Sequence, residues 1–475
     1  MRLFELILCI SVLLAMIDIY LLRSVKMRRQ ISIVLFMLCF LSLAGQLLIE
    51  DYRWQMILAY IATALIIKKL AGCIMERADT VSGVRKRGAI IPIILLSLSF
   101  ALSALLPVFT LPRPEGPFKV GTQTFYMKDE NRDETLTYDP GDKREIMVQV
   151  WYPAQASDKP TQMLYPEDKV QFRSLIQTFS ESMKIPGFFL DYFRYIRTNS
   201  YADANLYKAA KPYPLIILNH GMGTTRLIHA SQAEQLASNG YIVAAIDHTY
   251  STSGTAFPDG TVTEFKTSVG IDNMAAVSQE VGRIWAEDVI FVIDQFERMN
   301  EGSLESVFKG AIDLDKIGVM GHSFGGSTSY SALCMDNRIK AAINMDGSFF
   351  TLDGTTKTDK PFLFITDDAY EERIKFITKG NPSDEELKEE GLTREEYEKL
   401  IPMYKDEQSI LENSLNKEIL IIPGMGHFNV TDLQLYSKLI KYTGMTGSID
   451  GVECARLVNR YVLGFFDEHL RGLVE

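Results

Sequence analysis

Gly321-His322-Ser323-Phe324-Gly325-Gly326 follows the apolar run Ile317–Met320 and precedes a helix-like stretch, Ser327–Met335. A serine on a tight strand-to-helix turn stands clear of its neighbours, provided the residues two positions away are small. The N–H of the next residue then faces the place where negative charge develops on a carbonyl oxygen. The pattern G-x-S-x-G alone says little. In this setting it predicts that Ser323 is a nucleophile and that Phe324 supplies one oxyanion donor through its backbone N–H.

A serine hydroxyl needs a general base, and the base needs an acid to orient it. Of the six histidines, only His427 and His469 follow Ser323. His469 sits in a terminal amphipathic stretch with Asp467 and Arg471, which suits a surface role. His427 sits in Pro423-Gly-Met-Gly-His-Phe-Asn429, just after the strand-like Ile419–Ile422, where a loop at a strand end reaches the nucleophile. Two places compete for the acid. Asp346 ends the run Ala341–Met345, and Asp367 with Asp368 ends the next, Phe362–Thr366. Position alone leaves both open.

The second oxyanion donor belongs at an earlier strand end. Asn219-His220-Gly221-Met222-Gly223 follows Leu215–Leu218, and the flanking glycines let the chain turn so that the Met222 N–H faces the site. His220 reads as a residue holding that loop, with a place in the pocket as the alternative, and His248, at the end of Ile242–Ile246, as a pocket wall or a structural histidine. His322 reads as a packing residue.

These residues need a scaffold that brings strand ends together. Ile146–Tyr152 alternates and suits an edge strand. Leu215–Leu218, Ile242–Ile246, Ile317–Met320, Ala341–Met345, Phe362–Thr366 and Ile419–Ile422 are nearly continuous apolar runs, as in parallel strands covered on both faces. Helical patterns at Leu227–Asn239, Ala275–Met299 and Val452–Leu470 lie between and after them. Alternating βα units predict a mostly parallel, doubly wound α/β sheet, the α/β-hydrolase fold. Residues 380–408 break the rhythm with a Glu- and Lys-rich stretch holding two capping boxes, Ser383-x-x-Glu386 and Thr393-x-x-Glu396. This is an acidic helical insertion, read as a solvated face, with a lid as the alternative.

The first part of the chain has a different solvent. Residues 1–111 carry twelve Lys and Arg against six Asp and Glu, whereas residues 112–475 carry 37 against 54. Phe4–Leu22, Ile31–Ile49 and Ala89–Leu111 are long enough to cross a bilayer. Trp54–Ile67 is shorter, but Lys68 and Lys69 could snorkel and lengthen it, so a full span over 54–75 is open. Basic stretches at 23–29 and 68–87 belong on the cytoplasmic side. Four spans satisfy this and put residues 112–475 outside, in a multi-pass protein of the cell membrane. Glu5 and Asp18 sit awkwardly in the first run. The expected organisation is a membrane region over 1–111, a Pro-rich linker over 112–122 and a catalytic domain over 123–475. The acidic domain excludes nucleic acid as a partner. The absence of Cys/His ligand spacing speaks against a metal, and the chemistry needs no cofactor. Cys334 and Cys454 read as small buried residues, with a disulfide as the alternative.

Residues of about 116–470 resemble the plasma-type platelet-activating factor acetylhydrolases. The resemblance runs through Gly116–Gly121, Val150-Trp-Tyr-Pro153, Tyr213–Gly223, Leu236–His248, Gly321–Gly326, Met345-Asp346 and Gly426-His427-Phe-Asn429 with Asp432. It implies an esterase of short or oxidised acyl chains on phospholipids. It also implies Asp346 as the acid, His427 as the base, and the Met222 and Phe324 N–H groups as the oxyanion donors, without a metal. Asp247 stands where the family has another acidic residue, and stretches 154–212 and 380–408 depart from its pattern. The multi-span head is not part of the secreted members. Two alternatives differ in chemistry or class: a carboxylesterase or dienelactone-type hydrolase of soluble esters, and a non-catalytic membrane sensor on a hydrolase fold.

Overall fold

The computed structural model describes every residue except 1, 22–27, 76–85, 183, 268–272, 350 and 474–475. The described residues form two compact units. One comprises Met1–Phe109, Ile185–Tyr195 and Tyr436–Leu439, and the other Thr110–Lys184, Ile196–Leu435 and Ile440–Glu475.

The first unit is helical: α1 (Leu3–Tyr20), α2 (Arg28–Ile49), α3 (Ile57–Met75) and α4 (Ile90–Leu105). Four segments of 18 to 22 residues here are long and apolar enough to cross a membrane. Leu6, Ile10, Leu13 and Ile17 recur on the exposed side of α1, while Leu8, Val12, Ala15 and Ile19 are buried against the other helices. An apolar outer stripe of that kind suits lipid. The third helix runs through Lys68 and Lys69 to Met75, longer than the apolar run suggests. The fourth stops at Leu105 rather than 111, because Pro107 disfavours helical geometry at Leu106, whose φ, ψ are −120°, 71°. Glu5 is fully buried and paired with Arg53 at 3.1 Å and with Arg2 at 3.0 Å. A buried carboxylate is tolerable when paired in this way. Residues Arg23, Lys26, Arg77 and Arg85 of the two basic stretches lie outside the described residues. Within this unit the Trp54 indole donates to the Phe189 carbonyl at 3.3 Å and Ser437 Oγ donates to the Leu105 carbonyl at 2.6 Å.

The second unit is built on nine strands: β1 (Lys119–Asp133), β2 (Lys143–Ala154), β3 (Ser200–Ala202), β4 (Tyr213–Asn219), β5 (Ile242–Asp247), β6 (Ile312–His322), β7 (Ile339–Met345), β8 (Phe362–Asp367) and β9 (Lys417–Ile422). They form one sheet in the order β3-β1-β2-β5-β4-β6-β7-β8-β9. From β5 to β9 every pairing is parallel, while β2 runs antiparallel to β1 and β5. The expected edge strand is therefore interior. Its partner β1 holds Lys128-Asp-Glu-Asn-Arg-Asp133, a charged run that hides a strand from apolar patterning, and Arg132 ends in ion pairs with Asp129 and Asp288.

Helices of this unit are α5 (Lys169–Ser182), α6 (Ala230–Ser238), α7 (Met274–Glu301), α8 (Phe324–Met335), α9 (Tyr370–Thr378), α10 (Asp384–Glu389), α11 (Arg394–Asn413) and α12 (Gly451–Arg471). They cover both faces of the sheet. A side chain at Gly318 would strike Phe466 and Leu470 of α12. Its neighbour Val319 points the other way, into a core with Val292, Phe296, Tyr330 and Leu333 of α7 and α8. Coverage of both faces explains the apolar runs of β4 to β8, whereas β9, read from the sequence as covered on both faces, is largely exposed because it ends the sheet. The insertion is wider than 380–408: α9, α10 and α11 all fall between β8 and β9, and both capping boxes form at Ser383 and Thr393. Glu407 of α11 is buried, accepts from the Tyr370 hydroxyl and the Phe349 N–H, and is pushed up to about 7 by burial. Cys334 and Cys454 are both free thiols.

Candidate active site

Strand β6 ends at His322 and α8 begins at Phe324, so Ser323 alone makes the turn, with φ 55° and ψ −123°. Such a conformation costs a non-glycine residue of order 1–3 kcal/mol and is held by its surroundings. The surroundings are tight. A Cβ at Gly321 would lie 2.2 Å from the Gly325 carbonyl oxygen, and one at Gly325 would lie 2.3 Å from that of His220. The G-x-S-x-G spacing is thus a packing requirement.

His427 comes from the loop after β9. Its Nε2 lies 3.0 Å from Ser323 Oγ, and its Nδ1 lies 2.7 Å from Asp346 Oδ2. With the carboxylate as acceptor, Nδ1 donates and Nε2 is left to accept the serine proton. Asp346 follows β7, and its Oδ1 accepts a bond from Thr366 Oγ1 at 3.1 Å. The Asp346 side chain is 9 % exposed and that of His427 42 %, so the acid is sheltered while the base is open to solvent. Asp367 and Asp368 are engaged elsewhere. Asp367 pairs with Arg373 at 3.0 Å, and Asp368 accepts from the Gly424 N–H at 3.3 Å.

The loop carrying the base is held from both sides. Asn429 Oδ1 accepts from the N–H groups of Gly426 and Gly447, at 2.9 and 2.6 Å. His322 Nε2 donates to the His427 carbonyl at 2.9 Å. Burial, followed by the neighbouring His427, keeps the His322 ring well below the usual histidine pKa, hence neutral.

Met222 stands in the loop after β4, and Phe324 is the first residue of α8, so its N–H has no acceptor within the helix. Their side chains pack with Val281, Ile284 and Trp285 of α7. Beneath this loop lies a network that composition did not reveal. His220 donates from Nδ1 to the Gly221 carbonyl at 2.7 Å and accepts from the His248 N–H at 3.0 Å. His248 reaches Asp288 through Nδ1 at 2.9 Å and lies parallel to Trp285, with ring centroids 4.0 Å apart. Asp288 also receives both Arg144 Nε and Nη2, at 3.0 and 2.7 Å. Burial lowers the His248 pKa to about 4. Burial opposes the charge on Asp288, but Arg144 and the His248 bond hold its carboxyl far below the usual range. His220 and His248 are fully buried, so they support the loop and do not form a pocket wall. The signal for Asp288 was present: an acid on the buried face of α7, one turn past Ile284 and beside Trp285 and Val289.

Groups of three or more metal-ligating side chains are absent among the described residues. The arrangement is a hydrogen-bonded Ser–His–Asp set at the strand ends, suited to acyl transfer through a covalent intermediate.

Comparison with known proteins agrees in fold and family. The chain is 23 % identical to a platelet-activating factor acetylhydrolase of Cavia porcellus over 76 % of this chain and 78 % of the relative. It is 26 % identical to a probable 1-alkyl-2-acetylglycerophosphocholine esterase of Arthroderma benhamiae, over 55 % and 67 %. Among solved structures, a ferulic acid esterase from Streptomyces cinnamoneus superposes with a TM-score of 0.59 at 26 % identity, covering 78 % of this chain and 95 % of that one. Residues 105–280 and 290–474 match the family description "Platelet-activating factor acetylhydrolase, isoform II", and the chain therefore belongs to that family.

Proposed function

We propose that this ester hydrolase cleaves short-chain or oxidised acyl esters, of the glycerophosphocholine type named for its relatives, through an acyl-enzyme on Ser323. The observation that carries the reading is the 3.0 Å approach of His427 Nε2 to Ser323 Oγ, with Asp346 behind it at 2.7 Å. His427 takes the hydroxyl proton as Ser323 Oγ bonds to the ester carbonyl carbon. The tetrahedral oxyanion is held by the N–H groups of Met222 and Phe324, each contributing roughly 3 kcal/mol of transition-state stabilisation. His427 then returns the proton to the leaving alkoxide as the ester C–O bond breaks. A water, deprotonated by His427, releases the acid and restores Ser323. Asp346 keeps the imidazole in the tautomer that accepts at Nε2. No step calls for a metal or cofactor.

The four apolar helices tether the catalytic unit to a bilayer, which favours amphiphilic esters. Residues 112–475 lie on the extracytoplasmic side of the cell membrane, because that orientation keeps the basic stretches 23–29 and 68–87 inside. The 26 % identity to a ferulic acid esterase supports a second reading, a carboxylesterase of soluble esters.

The test compares wild type and Ser323→Ala on phospholipids with a short sn-2 chain and on short p-nitrophenyl esters. Cleavage of both, with phospholipid preferred and all activity lost in Ser323→Ala, supports the first reading. Activity confined to p-nitrophenyl esters selects the second, and wild-type activity unaffected by Ser323→Ala contradicts both.

A further inference from the structure

The two N–H groups assigned to the oxyanion are held in different ways. That of Phe324 is aimed by α8, of which Phe324 is the first residue. That of Met222 has no helix behind it. Gly221–Thr224 is a turn, with Gly223 at φ 71°, the left-handed value that the third position of a type II turn requires. The turn lies against the nucleophile: a Cβ at Gly221 would stand 3.2 Å from Ser323 Cβ. Its N–H groups divide. Thr224 N–H donates to the Gly221 carbonyl at 3.0 Å, and Gly223 N–H donates to the Ser251 carbonyl at 2.9 Å. The Met222 N–H has no acceptor among the described residues.

The direction of that free N–H is set by the other end of its own peptide. In a trans peptide the carbonyl and the N–H point opposite ways. The carbonyl across the bond from the Met222 N–H is that of Gly221, and it accepts three hydrogen bonds. They come from Thr224 N–H at 3.0 Å, Thr224 Oγ1 at 2.7 Å and His220 Nδ1 at 2.7 Å. A carbonyl oxygen offers two lone pairs, so this one is fully engaged. Turning the peptide away would strip all three donors at once. Thr224 is itself fixed: it is buried, and its carbonyl accepts from Ser253 N–H at 3.2 Å. Its hydroxyl therefore has a defined place from which to hold the Gly221 oxygen.

We propose that Thr224 is a positioning residue of the oxyanion hole: its hydroxyl, bonded to the Gly221 carbonyl, orients the Gly221–Met222 peptide so that the Met222 N–H faces the oxyanion before substrate arrives. The assignment rests on Ser323 being the esterase nucleophile. Donors fixed in advance need no reorganisation as charge develops, which is where their catalytic value lies. The Asn219–Gly223 motif holds the donor and stops one residue short of the side chain that aims it.

The experiment uses the full chain in detergent micelles. Thr224→Ala and Thr224→Ser lose the same methyl group and differ only in the hydroxyl, so comparing them isolates the bond to Gly221. On p-nitrophenyl butyrate the kcat of Thr224→Ala is expected to fall roughly fivefold below that of Thr224→Ser with KM little changed, the rate equivalent of one neutral hydrogen bond. Thr224→Ser is expected to stay within about twofold of wild type. A short alkyl trifluoromethyl ketone reads the oxyanion hole without turnover. Ser323 Oγ bonds to its carbonyl carbon, the C=O π pair becomes the oxyanion, and the hydroxyl proton passes to His427. The Ki of this ketone is expected to rise in Thr224→Ala by the factor that kcat/KM falls, and to stay near the wild-type value in Thr224→Ser. The Tm values of the two variants, expected to agree within a few degrees, separate loss of aim from loss of fold. Equal kcat and Ki in the two variants, or a loss in Thr224→Ala carried by KM with Ki unmoved, would overturn the assignment. A wild type that cleaves no ester and does not bind the ketone would instead refute the nucleophile reading beneath it.

Discussion

His322 donates from Nε2 to the carbonyl of His427 at 2.9 Å, so the residue before the nucleophile holds the backbone of the residue that supplies the base. Its ring is neutral and fully buried. His322→Leu removes this tie, worth about 1 kcal/mol in a neutral hydrogen bond. The kcat on short p-nitrophenyl esters is expected to drop roughly fivefold with KM little changed, and His322→Gln to recover part of the loss. An unchanged kcat in His322→Leu would reduce the contact to packing.

Asp346, and neither Asp367 nor Asp368, meets His427. Asp346→Asn is expected to lower kcat by roughly 10³–10⁴-fold, the scale seen when the orienting acid of such a set loses its charge. Asp367→Asn and Asp368→Asn, which disturb an Arg373 pair and a loop N–H, are expected to stay within about twofold. Steady-state kinetics of the three variants decides the point, and a larger loss at Asp367 or Asp368 would reassign the acid.

Asp288 gathers Arg144, Arg132 and His248 beneath the loop of Met222. Asp288→Asn leaves two cations facing a neutral amide and is expected to destabilise the catalytic unit by about 3–5 kcal/mol. Thermal unfolding followed by tryptophan fluorescence is well placed to report this, because Trp285 stacks on His248. A loss below 1 kcal/mol would show that the network is not structural.

Asp432 accepts from Ser231, tying α6 to the segment after His427, and burial pushes its carboxyl up to about 7. In the unfolded chain a carboxyl of this kind titrates near 4. A folded pKa above the unfolded one makes a contribution to stability that is complete below about pH 4 and is lost as pH rises to about 7. The Tm of wild type minus that of Asp432→Asn is therefore expected to decrease across this window, by a few degrees for each roughly 1 kcal/mol. A difference that is flat or rises with pH would contradict the assigned burial.

Much of this site was legible because its chemistry sits at strand ends. The runs Leu215–Leu218, Ile317–Met320 and Ala341–Met345 are apolar apart from Asn344, as in buried parallel strands, and Ile419–Ile422 is apolar although β9 lies largely exposed at the sheet edge. The choice between Asp346 and Asp367 was not legible from position, since both end adjacent parallel strands. Only the direction of each side chain separates them, and Thr366 and Arg373 fix those directions. Strand β1 escaped notice because its second half is charged and its stability comes from cross-strand partners, such as Lys143 for Asp133. The roles of His248 and Asp288 escaped because their partners lie on β2, β5 and α7, far apart in sequence. Glu5 in the first apolar run looked misplaced for a similar reason, since the Arg53 that pairs with it is 48 positions away.

The most direct test of Ser323 as an activated nucleophile is labelling of the full-length protein with a fluorophosphonate, followed by peptide mass spectrometry. The account predicts one phosphonyl adduct, on Ser323, absent in Ser323→Ala and strongly slowed in His427→Ala. No adduct, or an adduct on another serine that persists in Ser323→Ala, would contradict it.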